Sequence, residues 1–302
     1  MTDETEAFII TAPRQGRIGR WPLPRGEVTI KVHAVALCQR DSAIWAGDLS
    51  RPYPTVVGHE VVGEVIDSSP DTGWEPGTLV AGMGNQGLAR FMQVPAWQIA
   101  PVAGTGPHLA LVEPLACAIN AVDQDPSTTD APAIVFGLGL LGQLIAAVLQ
   151  SAGRETIAVD SDAQRLTVAE AAGVTVVNSK DHRSVDRAIS RASAAYECTA
   201  DQQVLWKLST TLQPGSALII VAHHRHGDLP ATALLDGWHQ RGIAIRNPVP
   251  WTSSNMAECV RTAARQDVDL TRYAVETGDL ADAPRLLSTW PGGEIMRHIV
   301  VL

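Results

Sequence analysis

Ala133-Ile134-Val135-Phe136-Gly137-Leu138-Gly139-Leu140-Leu141-Gly142 closes a short apolar run and opens a helix-like one, and Asp160 closes the next apolar run, Thr156-Ile157-Ala158-Val159. The three glycines have separate physical jobs. Gly137 permits a tight turn, Gly139 lets backbone approach a pyrophosphate, and Gly142 lets a helix pack close to a strand. Leu138 lies between the first two, and the helix that starts at Leu140 and Leu141 and runs to Ala152 offers unpaired N–H groups and partial positive charge to phosphates. A carboxylate at Asp160 can accept hydrogen bonds from adenosine ribose hydroxyls and repels a 2′-phosphate, so the stretch predicts NAD(H) rather than NADP(H).

Outward from this fingerprint the pattern alternates strand and helix. Strand candidates fall at 132–136, 156–160, 174–178, 195–199, 216–222 and 243–248, with helices between most of them, which is the signature of a doubly wound parallel sheet. Upstream, 6–102 reads as short β segments with Gly/Pro turns: 7–10, 28–32, 61–65, 78–81 and 90–94 suggest a barrel-like β domain. His108 to Val122 carries apolar residues at helical spacing, and Asp125 to Asp130 is a polar connector. Downstream come a helix over 255–266, another over 281–290, and a final apolar strand, 297–302, assigned to the first domain. The expected domains are 1–122 with 251–302, and 123–250.

Composition narrows the function classes. The chain has 302 residues, 45% hydrophobic and 18% charged, as an ordinary globular protein does. Its net charge of −9 and the absence of any Lys/Arg block argue against nucleic acid or an anionic membrane as partner, and for a small-molecule substrate. No apolar stretch of about eighteen residues occurs, and the start, Met1-Thr2-Asp3-Glu4-Thr5-Glu6, is acidic, so a cytoplasmic protein is expected. Cys38, Cys117, Cys198 and Cys259 lie far apart with no CxxC pairing, which indicates neither a disulfide framework nor a cysteine-rich zinc knot.

A β domain, a helix and a Rossmann domain in this order, with Gly58-His59-Glu60-Val61-Val62-Gly63-Glu64-Val65 in the first, resemble the medium-chain dehydrogenase/reductase superfamily of the zinc-dependent alcohol dehydrogenase type. Cys38-Gln39-Arg40-Asp41 resembles the family's Cys-x-x-Asp motif, and Glu113-Pro114-Leu115 the Glu-Pro-Leu motif of its polyol, sorbitol-type branch. The resemblance implies an α/β fold with a GroES-like β-barrel catalytic domain and a Rossmann domain. It also implies one catalytic Zn²⁺ held by Cys38, His59 and a carboxylate, with one position open for substrate oxygen. Glu60 would bind directly or by exchange, Glu113 directly or through water, and Asp41 would orient the His59 ring.

Three departures from the family pattern bear on chemistry. No four-cysteine structural-zinc lobe is present, because Met83-Gly84-Asn85-Gln86-Gly87 runs almost directly into the strand ending at Val94. The loss of that loop leaves open whether the chain assembles as a homodimer or homotetramer. Arg40 stands where relatives carry the Ser or Thr of a proton relay, and Ala43 where some carry a relay histidine. Zinc contributes roughly 12 kcal/mol of anion stabilisation against about 3–5 kcal/mol for a positioned acid–base group, so hydride transfer survives without the relay. Ser42, a water linked to Glu113, or the substrate itself would then carry the proton. Two readings of Arg40 stand: a fork for a substrate carboxylate or phosphate, or a side chain turned toward an acid or cofactor phosphate.

Weaker candidates complete the set. Arg165 matches a position that contacts adenosine ribose in relatives or is ordinary helix-surface charge. Cys198-Thr199 ends a strand near the expected nicotinamide. Of His223, His224, Arg225 and His226, which follow the Ile219-Ile220-Val221 strand, His223 is the one expected to face nicotinamide or substrate. Trp45 is either a pocket wall or core. The sequence thus predicts a zinc-dependent oxidoreductase moving a hydride between NAD(H) and a small secondary alcohol or ketone. Its rivals are a zinc-independent reductase of the same superfamily acting on an activated C=C bond, and a non-catalytic NAD(H)-binding protein.

Overall fold

Two compact units, Met1–Ala116 with Thr252–Leu302 and Cys117–Trp251, divide the chain in the computed structural model. It describes residues 3–23, 26–127, 130–224, 229–248, 253–265, 268–289 and 294–302. Arg225, His226, Gln266 and Trp290, which the sequence reading placed in a loop and at helix ends, lie outside the described residues.

The first unit is mostly antiparallel β. A hairpin of β1 (Glu4–Ala12) and β2 (Gln15–Pro22) precedes β3 (Val28–Leu37), helix α1 (Gln39–Ala46), β4 (Glu60–Ser68), β5 (Leu79–Met83), β6 (Phe91–Val94) and β7 (Ile99–Pro101). β3 is long enough for two partners on one side: its first four residues pair with β6 and its last four with β15, introduced below, while β4 lines its other side. The β segments read from the sequence are all present, and β3 and β4 run farther than expected. Phe8, Ile10, Ile30, Val35, Val61 and Met92 fill the core between them. Trp45, 4% exposed, belongs to that core. Its ring packs near Phe8 and its Nε1–H donates to Ser288 Oγ at 2.8 Å, so it is no pocket wall. Helix α2 (Val112–Asp123) follows a 3₁₀ turn over Pro107–Leu111, and the division between units falls within it.

The second unit is the doubly wound sheet. In chain order it contains β8 (Ala133–Phe136), α3 (Leu140–Ser151), β9 (Thr156–Asp160), α4 (Ala163–Ala171), β10 (Thr175–Asn178), α5 (His182–Arg191), β11 (Ala194–Glu197), α6 (Gln202–Thr211), β12 (Ala217–Ile220), α7 (Ala231–Arg241) and β13 (Ala244–Arg246). All six strands are parallel, in the order β10-β9-β8-β11-β12-β13. β8 and β11 are buried at every position, as strands covered on both faces must be, and β8 accordingly reads as an unbroken apolar run. The chain winds from β8 through β9 to β10, then returns to the other side of β8 to begin β11. The β8/β11 boundary is therefore the switch point, outside whose carboxyl ends ligands bind in such sheets.

The chain then re-enters the first unit with α8 (Ser253–Arg265), β14 (Val275–Gly278), α9 (Ala283–Ser288) and β15 (Arg297–Val301). β15 inserts between β14 and β3, antiparallel to β3 with His298 opposite Leu37, as its apolar composition predicts. No described helix is long and apolar enough to cross a membrane.

Candidate metal centre and dinucleotide site

Cys38 follows β3 directly and caps α1. Its Sγ accepts from the Arg40 N–H at 3.4 Å, and Asp41 Oδ2 reaches back to accept from the Cys38 N–H at 2.9 Å. The Cys-x-x-Asp spacing is thus that of a capping box, which fixes the thiol and the carboxylate relative to one another. The other oxygen, Oδ1, accepts from the Gly58 N–H at 3.2 Å and lies 3.5 Å from His59 Nδ1, leaving Nε2 as the ring atom turned to a ligand. Gly58 holds a φ of +99° and a Cβ there would run into Val35, so glycine is required for His59 to leave the turn in this direction.

Register places Glu60 opposite Ala36 at the start of β4, one residue beyond His59. One ligand atom from each of Cys38, His59 and Glu60 lies within 4.8 Å of the others, a group spaced to hold a metal ion. Glu60 is 2% exposed; its Oε1 pairs with Arg297 Nη2 at 2.9 Å, and its Oε2 is buried with no hydrogen-bond partner. Glu113 is buried as well. It falls outside this triad, yet its charge reaches Glu60.

The electrostatics follow from burial and these neighbours. Burial alone would raise the Asp41 carboxyl, but the His59 charge and the hydrogen bonds from His59, Cys38 and Gly58 outweigh it and hold the group low. Burial opposes charge on His59, and Asp41 with Cys38 overcomes it, raising the ring well above its ordinary value. Glu60 is pushed up to about 7, by burial first and then by Glu113 and Asp41, with Arg297 and His59 pulling the other way. Arg297 loses charge stability to burial but is raised on balance by Glu60, Cys38, Glu113 and Asp41. This arginine was missed in the sequence. The signal was a basic residue opening the apolar strand Arg297-His298-Ile299-Val300-Val301, where a buried charge needs a partner. Arg40 is exposed in the first turn of α1, and Ser42 is half-buried beside it, its N–H on the Cys38 carbonyl.

In the second unit the glycines behave as read. Gly137 has φ +90°, with Thr199 and Cys198 packed against the place of a Cβ; a Cβ at Gly142 would run into the Gly137 carbonyl oxygen; and Gly139 faces open space. Gly139 is the N-cap of α3, with no side chain capping the first turn, so those N–H groups remain for an anion. Leu138 and Leu140 are buried and Leu141 is half-buried, the packing that seats α3 on the sheet. Asp160 also ties the turn down, accepting from the Leu138 N–H at 2.6 Å on one oxygen and the Asp162 N–H at 2.9 Å on the other. Arg165 is half-buried in the first turn of α4, its carbonyl accepting from Gln143 Nε2 at 2.8 Å. Thr199 donates its hydroxyl and its N–H to Glu197 Oε1. His223 is exposed, and it is the next residue, His224, that turns inward onto Glu197.

The chain thus combines a mostly antiparallel β unit that carries a Cys/His/Glu cluster with a second unit built on a doubly wound parallel sheet. Residues 24–104 match the alcohol dehydrogenase GroES-like domain. The chain is 28% identical to an L-threonine 3-dehydrogenase from a Chelativorans species, over 62% of this chain and 66% of that protein. It is also 28% identical to a D-altritol 5-dehydrogenase from Agrobacterium fabrum, over 59% and 62% respectively. It spans between about half and two thirds of the length of the first such curated relatives. In fold it is similar to an alcohol dehydrogenase from Escherichia coli complexed with NADH, at a TM-score of 0.83 and 18% identity over the whole of both chains. In sequence the chain is similar to dehydrogenases of alcohols and polyols, and its residues 24–104 match the GroES-like domain of alcohol dehydrogenases.

Proposed function

We propose that the protein is a zinc-dependent oxidoreductase that moves a hydride between NAD(H) and a small secondary alcohol or ketone in the cytoplasm. The observation that carries this reading is Glu60 Oε2, a buried acceptor with no partner, at one corner of a triad whose other members are a thiol and an imidazole. A mixed sulfur, nitrogen and oxygen set with room for a further ligand fits catalytic zinc. When bound, zinc supplies Lewis-acid polarisation of the substrate oxygen and NAD⁺ supplies the hydride acceptor.

The chain's own residues prepare that chemistry. Asp41 fixes the His59 ring and directs Nε2 outward, while the α1 cap fixes the Cys38 thiol. Arg297 opposes protonation of Glu60, keeping a carboxylate available in a site where burial favours the neutral acid. In the second unit, the open Gly139 backbone and the uncapped first turn of α3 receive the pyrophosphate, and Asp160 excludes a 2′-phosphate.

Elemental analysis of protein purified without chelators tests the metal. About one zinc per chain is expected, lost in Cys38→Ala. Metal-replete protein without zinc would overturn the reading and favour the metal-free reduction of an activated C=C bond.

A further inference from the structure

Glu197 ends β11 fully buried, and every contact of its carboxylate is accounted for. Oε1 accepts from the Thr199 N–H at 2.6 Å, the Thr199 hydroxyl and the Ala200 N–H at 3.0 Å; Oε2 meets His224 Nε2 at 2.7 Å. Ala200 holds a positive φ of 58° to close this loop, a conformation unfavourable for a residue with a Cβ. A carboxylate so engaged can only accept from the ring, so neutral His224 carries its proton on Nε2 and presents Nδ1 as an acceptor. That Nδ1 is buried and has no hydrogen-bond partner.

The position of this acceptor says what it serves. Glu197 is in register with Phe136, the residue before Gly137, and the Gly137 turn packs directly on Cys198 and Thr199. The pair therefore stands at the carboxyl end of β11 and β12, on one side of the glycine turn, while Asp160 stands on the other at the end of β9. With the adenosine half on the Asp160 side and the pyrophosphate on the turn, the second half of the dinucleotide falls over β11 and β12.

We infer that His224 is a cofactor-contacting residue whose Nδ1 accepts a hydrogen bond from the carboxamide –NH₂ of nicotinamide, and that Glu197 is the positioning residue that fixes the required tautomer. This rests on the dinucleotide reading of the second unit. It moves the histidine contact from His223, favoured by the sequence, to His224.

Binding titrations on the full chain test it with three probes: NADH, ADP-ribose, and reduced 3-acetylpyridine adenine dinucleotide, which lacks the amide donor. His224→Ala is expected to weaken NADH roughly tenfold, the loss of about one good hydrogen bond, and to leave ADP-ribose within about twofold. The acetylpyridine analogue should bind the unaltered protein roughly tenfold more weakly than NADH does, a comparison that needs no folded variant. Glu197→Gln retains an acceptor for the loop N–H groups but offers –NH₂ to Nε2, which forces the proton to Nδ1; it should reproduce the NADH loss, again sparing ADP-ribose. Equal affinity of the unaltered protein for NADH and the acetylpyridine analogue would overturn the carboxamide contact. A parallel loss of ADP-ribose in His224→Ala would place the contact on ribose instead. Failure of the unaltered protein to bind ADP-ribose would remove the dinucleotide reading itself.

Discussion

At the scale of single residues, the centre in the first unit depends on one cation. Arg297 is 6% exposed and pairs with a Glu60 that is itself buried, so removing the guanidinium leaves His59 to offset burial and the charges of Glu113 and Asp41 at that carboxyl. Arg297→Met should cost about 3–5 kcal/mol in metal-stripped protein, measured by urea unfolding, and less when zinc is restored, because a divalent ion at the triad takes over the compensation. A loss below about 1 kcal/mol in both forms would show that the pair does not hold this end of β15. Cys38 and His59 were legible, since they sit in motifs whose spacing encodes a cap and a turn, whereas the sequence left Glu60 and Glu113 as alternatives and only the register of β4 groups Glu60 with them. Arg297 was hidden by distance along the chain, and His224 by the geometry of a loop, where no periodicity says which of two adjacent histidines turns inward.

At the scale of elements, the β8–turn–α3 unit separates two effects that glycine often mixes. Gly142→Ala inserts a methyl against the Gly137 carbonyl and must displace α3, at a cost of about 1–3 kcal/mol. Gly139→Ala meets no protein atom within 4 Å and has ordinary extended backbone, so it should leave stability within about 0.5 kcal/mol yet fill the space reserved for pyrophosphate. Thermal unfolding beside an NADH titration should show Gly142→Ala losing stability and Gly139→Ala losing only affinity. If Gly139→Ala bound NADH normally, the pyrophosphate would not lie on this turn. This unit was readable because its strand is wholly apolar and its helix periodic. The strands missed were the ones without such a signal: β2 is largely exposed, β7 has three residues, and β14, Val-Glu-Thr-Gly, has no buried face. The doubly wound strands were found, one at its expected bounds and the others one to three residues shorter, because the pairing stops before the expected segments do.

At the scale of the molecule, the two units answer to different ligands. Chelation should raise hydrogen exchange around Cys38 to Ala46 and Gly58 to Val65 in the first unit and leave the second unchanged. NADH should add protection around Phe136 to Leu144 and Glu197 to Ala200 in the second. Protection gained at Gly58 to Val65 on NADH addition alone would contradict this assignment of ligands to units. The α/β class was legible from the switch between β-type and alternating patterns, and so was the pairing of the last strand, because the segment starting at Arg297 is too apolar to remain unpaired.

That return gives the protein a history during its synthesis. The ribosome delivers β3 and β4, with Cys38, His59 and Glu60, and then makes all of the second unit before β15 and Arg297 emerge. Until then Glu60 has no counter-charge from Arg297, and β3 has an open edge where β15 will pair. The nascent first unit is therefore an unfinished sheet that can fold to completion only after its neighbour has been translated. An unpaired strand edge beside an uncompensated carboxyl is the kind of surface on which partly made chains misassemble, and here it is covered only when the last strand arrives.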